Sequence, residues 1–215
     1  MTGTEHATAA AATDPRSERS AARLREAVLR LASTRPASSI SVTALVGAAG
    51  VSRKTFYNHA ATPAQLLART LTAELDEARD RAEQELTMSS ADLERAVRHR
   101  LRAILSAVDA RRQIYLQGGG GLSPELYQLL SDHFAAAVEQ SIVALHRTPP
   151  RLRGFDDEPH RGAALAMYSS FVAHAYAGAI QSWLQHPETP EVDFLLDLIV
   201  SALPVWMLSR GAAQH

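Results

Sequence analysis

The chain has 215 residues, enough for one or two domains, and its 46% hydrophobic and 21% charged residues are typical of a folded globular protein. It contains no cysteine, which excludes disulfides, thiolate catalysis and cysteine-based zinc sites. The net charge of −1 conceals an uneven distribution, since residues 1–60 carry eight basic and four acidic residues and residues 61–215 carry 14 and 19. The resulting charges are +4 and −5, so the neutral total does not exclude a nucleic-acid partner.

Two segments raise the question of targeting. Residues 1–16 have no basic start followed by an apolar block, so we interpret them as a disordered lead-in and not as a signal peptide. Residues 162–187 contain no Asp, Glu, Lys or Arg and are long enough to span a bilayer. They are rich in alanine and include His174 and Gln181, which favours a buried or interface helix. We therefore expect a cytoplasmic protein that makes no membrane contact.

The spacing of apolar residues predicts an all-α fold, because no convincing alternation of β-branched residues appears. Thr62, Ser123 and Thr189 each precede a proline, the usual arrangement of an N-cap and a first helical residue. Breaks are expected at residues 87–90, 118–121 and 148–159, and Pro204 should kink the last helix. The predicted helices cover residues 17–34, 42–48, 52–58, 62–85, 93–108, 123–145, 160–186 and a final segment from 191.

Residues 41–59 form the most informative segment, which predicts two short helices joined by a tight turn. Ser41 is placed to cap the first helix, and Leu45 and Ala49 should face inward. Gly50 supplies the turn, since a left-handed backbone is favourable only without a Cβ atom. Ser52 is placed to cap the second helix. This is a helix-turn-helix pattern, whose second helix enters the major groove of DNA.

The second helix has one apolar anchor, Phe56, surrounded by basic, polar and aromatic residues. Arginine and lysine can reach guanine acceptors or phosphates, threonine can contact the thymine methyl group, and the other polar side chains and helix N-termini can donate to phosphate oxygens. The predicted DNA-binding residues are Ser41, Thr43, Ser52, Arg53, Lys54, Thr55, Tyr57, Asn58 and His59.

This segment resembles the DNA-binding helices of the TetR/AcrR family of transcriptional regulators. The resemblance covers residues 17–70, with Ala60 where the family usually has Phe and Thr62-Pro63-Ala64 where it usually has Ser-Lys-Glu. It implies a three-helix DNA-binding domain at residues 17–62 and a helical ligand-binding and dimerisation domain at residues 63–215. The matching motifs are Thr43, Leu45-Val46, Ala49-Gly50-Val51-Ser52, Thr55-Phe56-Tyr57-Asn58-His59 and Leu66-Leu67.

A single recognition helix contacts few base pairs, so a twofold homodimer is expected to bind a double-stranded palindromic operator. The resemblance implies pairing through the last two long helices, whose alternative role is to complete the core of the monomer. We predict an interface formed by Leu165, Tyr168, Val172, Tyr176, Ala179, Trp183, Leu196, Ile199, Leu203 and Trp206.

A cavity for a small-molecule effector is predicted between the C-terminal helices, since such cavities are apolar with a few polar groups that fix orientation. Arg100 borders an apolar stripe and could bind an acidic effector, although such a side chain often extends to solvent or pairs with an acid. The predicted lining comprises Arg100, Leu101, Ile104, Leu105, Val108, Tyr115, Tyr127, Leu130, His133, Phe134, Met167, Phe171 and His174.

The sequence offers little support for catalysis or a metal site. None of the nine histidines has a glutamate three residues before it, as di-iron bundles require, and the glycines at 118–121 lack the context of a phosphate-binding loop. We therefore expect no enzyme activity, cofactor or metal. The leading hypothesis is a repressor that leaves its operator when an effector binds. An activator or ligand-independent regulator remains an alternative, as does an all-α small-molecule-binding or adaptor protein without DNA binding.

Overall fold

The computed structural model of the protein describes residues 15–86, 93–117, 122–144, 159–186, 188 and 191–208. These residues form α-helices and one short 3-10 helix, Ala37–Ser39, with no strand among them, which confirms the predicted all-α class. The α-helices in chain order are α1 (Pro15–Ala32), α2 (Val42–Ala49), α3 (Arg53–His59), α4 (Pro63–Leu86), α5 (Leu93–Ala110), α6 (Arg112–Leu116), α7 (Pro124–Ala144), α8 (Arg161–Gln185), α9 (Val192–Ala202) and α10 (Val205–Leu208).

The helix ends follow the local sequence signals. The side chains of Ser41, Ser52, Thr62 and Ser123 each accept a hydrogen bond from the backbone N–H three residues later, at 3.1–3.3 Å. Gly50 adopts the left-handed conformation, with φ 63°, between α2 and α3. These four caps and the turn are therefore confirmed as predicted.

A single contiguous hydrophobic core joins the N-terminal helices to the rest of the chain. At the N-terminal end, Leu24 from α1, Leu45 from α2 and Phe56 from α3 are all fully buried. Leu67 and Leu71 on α4 are buried in the same cluster, so α4 begins inside the helix-turn-helix core. Its other end packs along α5, and thus one helix runs from the helix-turn-helix into the C-terminal half.

The C-terminal half is a helical bundle in which α7 lies along α8 and α5 packs against both α4 and α9. Leu105, Leu130, Phe134, Ile180 and Leu196 are almost completely buried where these helices meet. Helix α8 is the one described helix long and apolar enough to span a membrane, by length and composition alone. Its inner side is buried against the same bundle, which is what a core helix of a globular domain shows.

Several boundaries differ from the prediction. Helix α1 begins at Pro15, so the last two residues of the predicted lead-in are helical. The fifth predicted helix is followed by a turn at Arg111 and the separate α6, which apolar spacing did not indicate. The chain breaks at Leu203 and Pro204 and restarts as α10, where a kink was expected. The predicted breaks at 87–90 and 118–121, the loop at 148–158 and the Thr189 cap lie outside the described residues.

Candidate nucleic-acid interface and ligand cavity

Helix α3 is held from below by one side chain and presents the others to solvent. Phe56 is 0% exposed, whereas its neighbour Tyr57 is 58% exposed and meets the Phe56 ring edge-on at 5.2 Å. Thr55 and His59 are half-buried at the margins of the helix. The predicted arrangement of one anchor and a polar outer surface is therefore present. The exposed residues of α3 are Arg53, Lys54, Tyr57 and Asn58.

Three contacts fix the position of α3 relative to its neighbours. The Ser52 side chain caps its N-terminus. The Nη2 of Arg53 donates to Oγ1 of Thr43 on α2 at 2.7 Å, so two predicted DNA-binding residues are bonded to each other. At the opposite end, Nη1 of Arg69 on α4 donates to the backbone carbonyl of His59 at 3.0 Å. The two helix N-termini and the Arg53–Thr43 pair thus face one side of the motif.

The basic residues of α1 fall into two groups. Arg30 donates to the backbone carbonyl of Ala48 at 3.1 Å, which satisfies an unpaired C-terminal carbonyl of α2 and gives this arginine a structural role. Arg19, in the N-terminal part of α1, and Arg25, near its middle, line a shallow groove together with Glu18 and His59 of α3. Their positive charge therefore lies beside one end of α3.

A cavity of about 350 Å³ lies within the C-terminal bundle. This volume is at the lower end of the range of roughly 300–1,000 Å³ seen for small-molecule sites. Four predicted lining residues, Arg100, Leu101, Ile104 and Phe134, do line it. The sequence reading missed the remaining residues, which come mainly from α7 and the last helices. They are Arg79, Glu83, Leu93, Val97, Ala137, Val138, Gln140, Ser141, Ile142, Tyr176, Leu203, Trp206 and Met207.

Two arginines on the cavity wall have different surroundings. Arg79 is fully engaged, since it pairs with Asp80 at 3.0 Å and with Asp76 at 3.2 Å. Arg100 has one long contact, from its Nη2 to Oε1 of Glu83 at 3.4 Å. Its Nε is buried and has no hydrogen-bond partner. A buried donor without an acceptor is energetically unfavourable, so Arg100 is the polar group in this wall whose bonding is incomplete.

The other predicted lining residues lie elsewhere. Leu105, Val108, Tyr115, Leu130 and His133 are buried in the core and do not border the cavity. Tyr127 is half-buried and its hydroxyl donates to the backbone carbonyl of His174 at 3.3 Å. Met167 and Phe171 are 68% and 72% exposed, and the His174 side chain is also at the surface. The assignment of these last three to a cavity was wrong, because α8 turns the opposite side inward.

Most of the predicted dimer residues are buried within the single chain, whereas the dimer prediction needed them at the surface. Within a single chain, Val172, Tyr176 and Trp183 lie on α8, which packs against α7 and α9, and Leu196, Ile199 and Leu203 lie on α9 or at its C-cap, where α9 packs against α5 and α8. All six side chains are buried. Leu165, Tyr168, Ala179 and Trp206 are half-buried and pack against the same core. The apolar side chains that α8 and α9 expose are Met167, Phe171, Phe194 and Leu198.

Two titratable groups are enclosed near the junction of the two halves. Burial lowers the pKa of His133 below its ordinary value, and the nearby Asp76, whose carboxylate is 3.6 Å from Nδ1, offsets part of this effect. Burial raises the pKa of the Tyr115 hydroxyl well above its ordinary range, with the charge of Glu74 acting in the same direction. Glu74 itself accepts two hydrogen bonds from Arg111, at 2.7 and 2.8 Å.

Comparison with known proteins gave matches in structure alone: no family model and no curated protein sequence matches the chain. A TetR-family transcriptional regulator from Streptomyces coelicolor is 19% identical, with a TM-score of 0.55 over 85% of this chain and 78% of that one. Thermus thermophilus FadR, a TetR-family repressor in complex with lauroyl-CoA, is 17% identical, with a TM-score of 0.58 over 91% and 98%.

The fatty acid degradation regulator FadR from Bacillus halodurans is 12% identical, with a TM-score of 0.56 over 85% of this chain and 99% of that one. These three similarities cover 85–91% of this chain. The chain therefore has the fold of the TetR-family transcriptional regulators.

Proposed function

We propose that the protein is a homodimeric DNA-binding transcriptional regulator, and specifically a repressor that leaves its operator when a small molecule occupies the C-terminal cavity. The observation that carries the DNA-binding part is the construction of α3. Four polar or aromatic side chains, Arg53, Lys54, Tyr57 and Asn58, are displayed on a helix that Phe56 anchors and that a serine caps. This is the arrangement that reads base edges and phosphates in the major groove.

Charge supports the same assignment. The 60 N-terminal residues have a net charge of +4, and Arg19 and Arg25 flank the recognition helix. The C-terminal remainder carries −5, so the bundle would be repelled by phosphates while the helix-turn-helix is attracted. Thermus thermophilus FadR, which shares the fold, is a repressor, and this supports the repressor role over an activator.

Gel-shift titration with DNA flanking the protein's own gene, repeated over a salt series, tests DNA binding. We expect binding that weakens as salt rises, because each phosphate contact releases counterions. Tyr57→Ala and Arg53→Ala should each reduce the affinity about fivefold or more while the protein stays folded. The matched control is Arg95→Ala, which removes an exposed positive charge on α5 and should leave the affinity unchanged. Salt-independent binding, or no binding, would favour the adaptor alternative.

The dimer is proposed to form through the outer sides of α8 and α9. Met167, Phe171, Phe194 and Leu198 are large apolar side chains with about half or more of their surface exposed. Apolar surface of this kind on two long helices favours association with an identical surface of a second copy. Two recognition helices would then be spaced for successive major grooves, about 34 Å apart.

Light scattering coupled to size-exclusion chromatography measures the oligomeric state. The wild type should elute with twice the mass of the chain, and Phe171→Glu should shift it to the monomer mass. Tyr57→Glu is the control, because it places the same charge on another exposed aromatic residue, at the proposed DNA-binding end, and should leave the dimer intact. A monomeric wild type at micromolar concentration would contradict the proposal.

Release from the operator is proposed to follow from a shift in population. A ligand that fits the cavity in one arrangement of α4 and α5 better than in another stabilises that arrangement, and linkage then lowers the affinity for DNA by the same factor. The gel-shift titration, repeated with a compound that binds the purified protein, measures this factor. An unchanged operator affinity in the presence of every bound compound would leave a regulator that does not respond to ligands.

A further inference from the structure

The cavity wall contains one guanidinium edge, that of Arg100, whose hydrogen bonding within the chain is incomplete. In Arg100 the exposed contact is Nη2 with Glu83 at 3.4 Å, and the adjacent Nε is buried without an acceptor. Arg111 in the same protein shows what a completed edge looks like, since its Nε and Nη2 donate to the two oxygens of Glu74 at 2.8 and 2.7 Å. The edge of Arg100 is therefore incompletely bonded, since Glu83 contacts Nη2 alone at a long distance and Nε has no acceptor.

Most of the remaining cavity wall is apolar, although Gln140, Ser141 and Tyr176 also line it. Leu101, Ile104, Val138, Ile142 and Leu203 contribute hydrocarbon walls beyond the arginine. Such a surface gains free energy by covering an apolar ligand. A ligand that satisfies both features has an anionic group at one end and a hydrocarbon body at the other.

The bonding of the charged groups at the polar end favours an anion over a cation. The charged residues that line the cavity are Arg79, Arg100 and Glu83. Arg79 is held by Asp76 and Asp80, so its guanidinium is already bonded. Glu83 approaches Arg100 at a long distance and remains largely exposed, so an entering carboxylate can replace its weak contact with a bidentate pair.

We propose that the cavity binds a small amphiphile with a single anionic head group, and that the guanidinium group of Arg100 binds the head group. The proposal rests on the cavity's role in the proposed function and specifies the chemical class of its ligand. A carboxylate and a phosphate monoester share the required geometry, and the test separates them. The volume of about 350 Å³ suits one compact chain and not a large polycyclic molecule.

Isothermal titration calorimetry of the full-length protein, without DNA, tests the proposal with decanoate, decyl phosphate, decan-1-ol and decyltrimethylammonium. We expect decanoate or decyl phosphate, whichever head group the site prefers, to bind about tenfold to a hundredfold more tightly than the alcohol. The cation should bind no better than the alcohol. Equal affinity for the alcohol and both anions, or tighter binding of the cation, would overturn the proposal.

Three variants assign the head group to Arg100. Arg100→Gln should abolish the preference for the anion over the alcohol. Glu83→Gln removes the competing carboxylate and should strengthen anion binding severalfold, the opposite direction for a residue at the same end of the cavity. Arg102→Gln is the matched control, since Arg102 lies on the other side of α5, pairs with Asp193 at 2.9 Å and does not line the cavity. Anion binding that Arg100→Gln leaves intact would refute the assignment.

Tryptophan fluorescence locates the binding. Trp206 lines the cavity and the second tryptophan, Trp183, does not, so an occupied cavity should change the emission of the wild type. Trp206→Phe should lose this change while calorimetry still detects binding. Persistence of the signal in Trp206→Phe would place the ligand elsewhere and overturn the proposal.

The two proposals fail in different ways. If the protein binds its operator but none of the four compounds, the ligand class is refuted and the DNA-binding function stands. If the anion binds through Arg100 without altering operator affinity, the ligand class stands and the release mechanism is refuted.

Discussion

Two glycines three positions apart in the helix-turn-helix should respond to alanine with opposite signs. Gly50 has φ 63°, in the left-handed region, whereas Gly47 lies inside α2. A Cβ atom built on either residue meets nothing within 4 Å, so neither substitution introduces a steric clash with the surroundings. The two variants therefore differ in backbone energetics alone.

The magnitudes follow from the backbone. Alanine in a left-handed conformation costs about 1–2 kcal/mol, and the smaller entropy of the unfolded chain offsets part of this, which leaves Gly50→Ala less stable by about 1 kcal/mol. Alanine within a helix is favoured over glycine by about 0.5–1 kcal/mol, so Gly47→Ala should be more stable than the wild type. In a chain of this size, 1 kcal/mol moves the Tm by about 2–4 °C.

Thermal unfolding followed by circular dichroism measures both effects. We expect the Tm to fall by about 2–4 °C in Gly50→Ala and to rise by about 1–4 °C in Gly47→Ala. The comparison needs no assumption about side-chain contacts, since each variant is the control for the other. A Gly50→Ala protein at least as stable as the wild type would refute the left-handed turn between α2 and α3, and with it the placement of the recognition helix.

Three further predictions concern buried groups. Phe56→Ala should remove about 3–5 kcal/mol of stability, since the ring is fully buried, and a change in Tm below about 2 °C would contradict its role as the anchor of α3. Arg111 and Glu74 form a partly buried ion pair, so a double-mutant cycle of Arg111→Gln and Glu74→Gln should give a coupling energy of about 1 kcal/mol in the free energy of unfolding, between the values for exposed and buried pairs. Chemical denaturation of the four proteins measures this energy, and a value of zero would show that the bidentate contact is not maintained. Burial lowers the pKa of His133 below its value of 6.5 in the unfolded chain, so between the two pKa values the unfolded chain binds a proton that the folded chain does not. The free energy of unfolding should therefore decrease as the pH falls below 6.5. Urea titrations should show a smaller decrease in His133→Gln, and the same pH profile in the variant and the wild type would contradict the burial.

The helix-turn-helix could be predicted from the sequence because its signals are local. The caps at Ser41 and Ser52, the glycine turn and the single anchor Phe56 each depend on residues within four positions of one another. The short helix α6 could not be predicted in this way. Its start is fixed by Arg111, whose partner Glu74 lies on α4 and is separated from it by 37 positions. Apolar spacing contains no information about a contact of that kind.

The orientation of α8 shows a different limit of sequence reasoning. This helix has apolar or small residues around most of its circumference, so the pattern allowed either the side with Val172 and Tyr176 or the side with Met167 and Phe171 to face the core. The choice was made in the folded chain by α7 and α9, which cover the first side. The prediction assigned the two sides of α8 the wrong way round. As a result Met167 and Phe171, expected in the cavity, are exposed, and Val172 and Tyr176, expected at the interface, are buried.

Helix α4 gives the physical connection between the two sites. Its 24 residues extend for about 36 Å, and it contributes Leu67 to the core beneath the recognition helix and Arg79 and Glu83 to the cavity wall. Arg69 on the same helix bonds the carbonyl of His59, so a rotation or shift of α4 is transmitted to the end of α3. A ligand that replaces the contact of Glu83 with Arg100 changes how α4 and α5 are joined at the cavity end. The hydrophobic core is continuous from there to Phe56, so the proposed release mechanism predicts that this change reaches α3 and that DNA in turn alters the affinity for the ligand.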